Sequence, residues 1–256
     1  MAKLIRLSDR DSDTLDKIRK LAPASAPAQP RSYENMVVVK PWGYEFLVYQ
    51  NDQVAVWFLH LEKGHATSMH CHPKKKTALI VLSGQALCNT FYNRNYLYGI
   101  DGVVIEPGVF HSTQAISSGG ASLIEVETPV DKTDLVRLDD QYGRSGKGYE
   151  GLSEMKTEKL DRYGFFSMID PGIGKKCSYQ SGVFEVSLEH YNENTNFDDV
   201  LPRKRGEFYC VGRGSVLGDD EKVVLAVGDV VEGSYLGVFE KVTIQKDTLL
   251  LCFKAM

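Results

Sequence analysis

Residues 64–84 read Gly64-His65-Ala66-Thr67-Ser68-Met69-His70-Cys71-His72-Pro73-Lys74-Lys75-Lys76-Thr77-Ala78-Leu79-Ile80-Val81-Leu82-Ser83-Gly84. A glycine leads into a His-x-His pair, and an apolar run follows that ends on a second glycine. Further on, Ile105-Glu106-Pro107-Gly108-Val109-Phe110-His111 brings a Pro-Gly turn and another histidine. Side chains alternate across a strand, so His70 and His72 project to one side and Cys71 to the other. Two imidazoles from one strand and a third from a neighbouring strand can converge on one cation, and imidazole suits zinc, iron, copper or nickel. His70, His72 and His111 are therefore the expected metal ligands. His60 and His65 stand apart, because alternation within residues 54–61 accounts for His60 without any ligand role.

Around this stretch the chain breaks into short β runs at 37–39, 44–49, 54–61, 78–82, 86–92, 102–105 and 122–126. Gly, Pro, Asn and Asp separate them, the signature of a sandwich or barrel. An internal repeat then appears. Thr77-Ala78-Leu79-Ile80-Val81-Leu82-Ser83-Gly84 has the length and pattern of Glu207-Phe208-Tyr209-Cys210-Val211-Gly212-Arg213-Gly214. Asp101-Gly102-Val103-Val104 is echoed by Gly228-Asp229-Val230-Val231. Two copies of a small barrel follow. Where the first has His-x-His, the second is expected to have Leu201-Pro202-Arg203-Lys204-Arg205, and its only histidine is His190. The second barrel should be free of metal and serve a structural or dimerising role.

Leu15, Ile18 and Leu21, behind Ser12 and Asp13, predict a short helix over 11–22 that Pro23 ends. The expected organisation is an N-terminal appendage with a Pro/Ala linker over 1–32, a metal-binding barrel over 33–145, a connector over 146–165, and a degenerate barrel over 166–256. The appendage could pack on a partner subunit. The polar stretch 131–162, with Gly143, Gly146, Gly148 and Gly151, reads as connecting chain with one short helix.

With 256 residues, 43% hydrophobic and 25% charged, the composition is that of an ordinary soluble globular protein. A net charge of −4 gives no basic footprint for nucleic acid. The five cysteines, Cys71, Cys88, Cys177, Cys210 and Cys252, form no C-x-x-C pair. That argues against a disulfide framework or zinc ribbon and for a reducing compartment. No apolar run approaches the ~20 residues that cross a bilayer, and no signal-peptide core follows Met1. The expectation is a cytoplasmic protein with neither a membrane nor a nucleic-acid partner.

The two motifs resemble those of the cupin superfamily: Gly64, His70, His72 and Gly84 fall on its first motif, and Gly102, Pro107, Gly108 and His111 on its second. Thr77 stands where that motif has its glutamate, and Ala115 where it has its asparagine. Within the superfamily, residues 37–145 are most similar to sugar-phosphate isomerases of the type II phosphomannose isomerase kind. Lys40-Pro41-Trp42-Gly43-Tyr44-Glu45 resembles their opening strand, and Ile124-Glu125-Val126-Glu127-Thr128-Pro129 their closing strand. Asp134-Leu135-Val136-Arg137-Leu138-Asp139-Asp140-Gln141-Tyr142-Gly143-Arg144 resembles their tail.

The resemblance implies an all-β chain of two tandem cupin (double-stranded β-helix, jelly-roll) barrels with a short N-terminal helical appendage, assembled as a homodimer. It implies a divalent metal ion (zinc, manganese, iron, nickel or cobalt) and an anionic small-molecule substrate, a sugar phosphate or nucleotide sugar. Aldose–ketose isomerisation needs a cation to polarise the carbonyl and a carboxylate to move a proton between carbons. Glu125 and Glu127, two apart on one strand, share a face and are candidates for that base, as is Glu106 before the Pro-Gly turn. Lys76, Arg144 and Arg137 are the expected anion-holding residues. Two other readings stay open: a three-histidine iron-dependent dioxygenase, which the Thr77 departure suits, and a non-catalytic sugar-binding bicupin.

Overall fold

The computed structural model describes residues 3–20, 30, 32–144 and 147–256. Its first half carries β1 (Lys3–Ile5), α1 (Asp9–Arg19), β2 (Val37–Lys40), β3 (Gly43–Gln50), β4 (Ala55–Leu61), β5 (Met69–Cys71) and β6 (Lys76–Gly84). There follow β7 (Ala86–Thr90), β8 (Arg94–Leu97), β9 (Gly102–Ile105), β10 (His111–Ala115), β11 (Ala121–Thr128), β12 (Val136–Asp139) and β13 (Met155–Lys156). The second half carries β14 (Lys175–Gln180), β15 (Phe184–His190), β16 (Thr195–Asn196), α2 (Phe197–Val200), β17 (Glu207–Arg213) and β18 (Val216–Leu217). It ends with β19 (Val223–Leu225), β20 (Val230–Glu232), β21 (Thr243–Ile244) and β22 (Leu249–Ala255).

The strands form two pairs of sheets. The first pair has the orders β1-β9-β6-β11-β4-β3-β2-β13 and β12-β5-β10-β7-β8, the second β14-β15-β22-β17-β20 and β16-β21-β18-β19. The run β9-β6-β11-β4-β3 recurs as β20-β17-β22-β15-β14, and β5-β10-β7-β8 recurs as β16-β21-β18-β19. The repeat suspected from two short segments therefore extends through every strand from β3 to β11. One detail is corrected. The counterpart of β5, which carries His70, is β16 (Thr195–Asn196), not the stretch 201–205. The four-residue helix α2 lies between β16 and β17 and displaces an alignment counted back from the apolar strand.

Alternation assigns the large sheet of the first barrel two buried faces. Leu47, Trp57, Leu59, Leu79, Val81 and Leu123 fill that barrel's interior. The intervening Phe46, Phe58, Ile80, Ile124 and Val126 pack in one cluster with Val186, Leu188, Phe208 and Phe253 of the second barrel. The contact is close: a Cβ added at Gly102 would lie 2.9 Å from the Phe208 ring and 3.0 Å from the Leu79 carbonyl oxygen, so glycine is required there.

Helix α1 begins earlier than its apolar spacing predicted. Ser8 is its cap: the Ser8 side chain accepts from the Asp11 amide, and the Asp11 carboxylate accepts from the Ser8 amide at 3.0 Å. A cap paired with an acidic residue three positions later outweighs Ser12 and Asp13. Leu15 packs on Cys71 and Phe110, and Asp11 Oδ1 accepts the Phe110 amide at 2.9 Å. Leu21, Pro23 and the linker at 24–29 lie outside the described residues. The stretch 131–162 is more than connecting chain, because β12 pairs with β5 and β13 with β2. Among the described residues, no helix is long and apolar enough to cross a membrane.

Candidate metal centre

Strands β5 and β10 pair so that His70 stands directly opposite His111. His72 follows on the same side, one residue beyond β5. The ring centroids lie 4.5 Å apart for His70–His111, 5.1 Å for His70–His72 and 5.7 Å for His72–His111. Each Nδ1 meets a backbone carbonyl: Ser68 at 2.8 Å for His70, Asp134 at 2.6 Å for His72 and Val109 at 3.0 Å for His111. A carbonyl only accepts, so each Nδ1 carries the proton and each Nε2 keeps its lone pair.

The atoms these three residues can offer a metal lie within 4.8 Å of one another, and Nε2 of His72 is buried with no hydrogen-bond partner. Burial holds all three imidazoles below the usual histidine range, with neighbouring positive groups adding to the effect at His70 and His72. Neutral, oriented rings with one orphaned lone pair are the donor set of a bound divalent cation, and the three histidines fit one.

Glu125 and Glu127 project into the same cavity from β11. Together with His72 they make a second group whose ligand atoms lie within 4.8 Å of one another. Their surroundings differ. Lys75 Nζ donates to Glu127 Oε1 at 2.8 Å, and Lys132 Nζ lies 3.8 Å from the same oxygen. Burial opposes the charged form of Glu127, but Lys132 and Lys75 outweigh it and hold the carboxyl below its usual range. Among the described residues no lysine forms an ion pair with Glu125, and the more distant Lys132 and Lys75 lower its carboxyl only in part. Burial, with the Glu127 charge beside it, pushes its carboxyl up to about 7.

A charged network supports these groups. Lys132 lies 3.2 Å from Glu45 Oε1 and 3.6 Å from the centre of the Trp57 ring. Tyr149 Oη also donates to Glu45. Lys40 pairs with both Glu45 and Glu150, and Arg137 Nη2 donates to Glu150 Oε1 at 3.0 Å. Lys40, Glu45, Glu127, Arg137 and Glu150 are all buried, so each charge is answered by an opposite one. Sequence reading did not single out Lys132, Tyr149 or Glu150, and met Lys40 only as the first residue of the opening-strand motif. The available signal was at Glu45, which lies two residues from the inward Leu47 on β3 and so shares its face.

The cavity beside the histidines measures about 60 Å³, and Arg137 and Tyr149 also wall a wider outer cavity of about 580 Å³. Of the expected anion-holding residues, Arg137 reaches both cavities and Arg144 reaches the outer one, where Asp140 and Glu150 pair with it. Lys76 is elsewhere, paired with Asp229 of the second barrel at 2.5 Å, because its outward position on β6 faces that barrel. Glu106 is also elsewhere: its Oε2 accepts the Leu7 amide at 2.9 Å and ties down the N-terminal segment. His60 pairs with Ser122 and His65 with Tyr142. In the second barrel, His190 lies between Asp170 and Asp247 at 2.9 and 2.8 Å. Among the described residues, both ligand groups belong to the first barrel.

No protein-family model matches the chain, and no curated protein matches it. Solved structures similar to it include an RmlC-like cupin from Shewanella frigidimarina NCIMB 400, at 17% identity and a TM-score of 0.35, covering 43% of this chain and 95% of that one. A cupin-superfamily sugar phosphate isomerase from Silicibacter pomeroyi DSS-3 matches at 14% identity and a TM-score of 0.33, covering 42% and 68%. The capsular polysaccharide assembling protein CapF from Staphylococcus aureus matches at 18% identity and a TM-score of 0.37, covering 41% and 32%. The repeated strand order, the His-x-His at the end of β5 and the opposed histidine on β10 make this an all-β chain of two barrels in tandem, with the histidine cluster in the first.

Proposed function

We propose that the chain is a metal-dependent aldose–ketose isomerase acting on an anionic sugar, a sugar phosphate or nucleotide sugar. The observation that carries this reading is the position of Glu125, a buried carboxyl open to the cavity and grouped with the orphaned Nε2 of His72. His70, His72 and His111 would hold the ion. Bound there, a divalent cation supplies a Lewis acid for the carbonyl and its neighbouring hydroxyl.

The chain's own residues do the rest. Glu125 takes a proton from the carbon next to the carbonyl and returns it to the adjacent carbon. Trp42 and Leu59 wall the cavity with apolar surface, which limits water around the enediol. Only the reacting end of a sugar fits a cavity of about 60 Å³. Its anionic end extends into the outer cavity, toward Arg137 and Arg144.

Metal content of the purified protein, measured by inductively coupled plasma mass spectrometry beside His70→Ala/His111→Ala, is the first test. Near-stoichiometric zinc, manganese, cobalt or nickel that disappears in the variant supports the reading. A screen of sugar phosphates in deuterated water should then give an isomerised product carrying deuterium at the carbon Glu125 protonates. Iron with oxygen uptake would favour the dioxygenase. Thermal stabilisation by a sugar phosphate that survives His70→Ala, without turnover, would favour a binding protein.

A further inference from the structure

Thr77 occupies the place where the motif has its ligand carboxylate, and the strand register sets it directly opposite Glu127 on β11. Directly opposed residues on antiparallel strands project from the same face, with Cβ atoms about 5 Å apart. A side chain at 127 therefore reaches the space that a side chain at 77 would fill. Building on the metal reading above, we propose that Glu127 is the metal's carboxylate ligand, so that the ion is held by His70, His72, His111 and Glu127. The carboxylate has moved one strand across the sheet, from β6 to β11.

Further observations support this. Glu127, with Glu125, belongs to the group whose ligand atoms lie within 4.8 Å of one another and of His72, and that group meets the three-histidine group at His72. Both of its lysine contacts fall on Oε1, so Oε2 keeps its lone pairs for another cation. Metal-ligating carboxylates are typically held in turn by a hydrogen bond, and the fully buried Lys75 supplies one. The Thr77 hydroxyl is buried without a hydrogen-bond partner, at the register position opposite Glu127. Glu125 is one register step further along, opposite Leu79, and has no lysine in contact, which leaves it to the proton transfer.

The test uses the full-length protein loaded with Co(II) or Zn(II). Its readouts are affinity, by competition with a chelator, and the visible spectrum of the cobalt form. Glu127→Gln should lower affinity by roughly 100-fold or more and change the cobalt spectrum, whereas Glu125→Gln should leave both close to the unaltered protein. Thr77→Glu/Glu127→Gln, which returns the carboxylate to β6, should recover most of the affinity. Unchanged affinity and spectrum in Glu127→Gln overturn the proposal while leaving the histidine site intact. Failure of the unaltered protein to bind either metal overturns the site itself. Should Glu127→Gln not fold, a crystal structure of the unaltered zinc form decides. A Glu127 oxygen at about 2.0–2.2 Å from zinc supports the assignment, and water in that position overturns it.

Discussion

Asp134 holds His72 with one group and the start of β6 with another. Its carbonyl oxygen lies 2.6 Å from His72 Nδ1, while its carboxylate Oδ2 accepts the amides of Lys74 and Lys75 at 2.9 and 3.1 Å. One residue thus fixes both the tautomer of a ligand and the path of the chain after it. Asp134→Ala keeps the carbonyl but orphans the two amides. Zinc affinity should fall about 10- to 100-fold, measured by chelator competition, with stability lower by about 1–3 kcal/mol in urea titration. Unchanged zinc affinity would mean that the loop is set elsewhere.

Glu150 pairs with two buried cations, Lys40 and Arg137. Glu150→Gln keeps the shape and removes the charge. Leaving buried cations short of a counter-charge typically costs 3–5 kcal/mol, although Glu45, 3.4 Å from Lys40, softens the loss there. Urea unfolding should show a drop of about 3 kcal/mol, and a change below 1 kcal/mol would show that the network contributes little.

The same network sets the acid limit. Burial opposes the charged forms of Glu45 and Glu150, but Lys132 and Lys40 at the first, and Lys40 and Arg137 at the second, hold both below the usual carboxylate range. A folded-state value below the unfolded one means stability that is fully present above about pH 4.5 and lost as pH falls through the folded values. Melting temperature should drop steeply below pH 4. In Glu150→Gln that drop should be shallower, and an identical slope would remove Glu150 from the account.

Lys76 and Asp229 join the two barrels with side chains about a third exposed, 32% and 37%. Such a pair is worth at most about 1 kcal/mol after screening. Lys76→Ala should therefore shift stability by less than that and leave sugar-phosphate affinity unchanged, whereas Arg137→Ala should weaken it. Calorimetric titration separates them, and a large loss of affinity in Lys76→Ala would return that residue to the site.

Much of this was legible in the sequence, because the clearest signals are local. Alternation placed seven strands of the first barrel, and the spacing of His70, His72 and His111 named the residues that the structure brings together. What escaped was set by distant pairing. β12 is four residues of ordinary polarity, Val136–Asp139, visible as a strand only once β5 lies beside it. The burial of Lys40 and Lys132 could not be read from the sequence, since it depends on carboxylates remote in the chain, here Glu150 and Glu45. The roles of Glu125 and Glu127 could not be separated from spacing alone. Only the lysines around Glu127 distinguish them.

Because β11 alternates between two interiors, it has almost no side on which to drift. Every residue from Ala121 to Glu127 is buried, the odd positions inside the first barrel and most even ones against the second. In a lone barrel the outward residues of such a strand would face water and accept mutation freely. Here Ile124 and Val126 alternate with the two carboxylates, so the second barrel, which among the described residues contributes to neither ligand group, acts as an anvil behind the strand that carries them. Sequence change on that hidden seam would be felt as a loss of alignment of Glu125 and Glu127 on the opposite face.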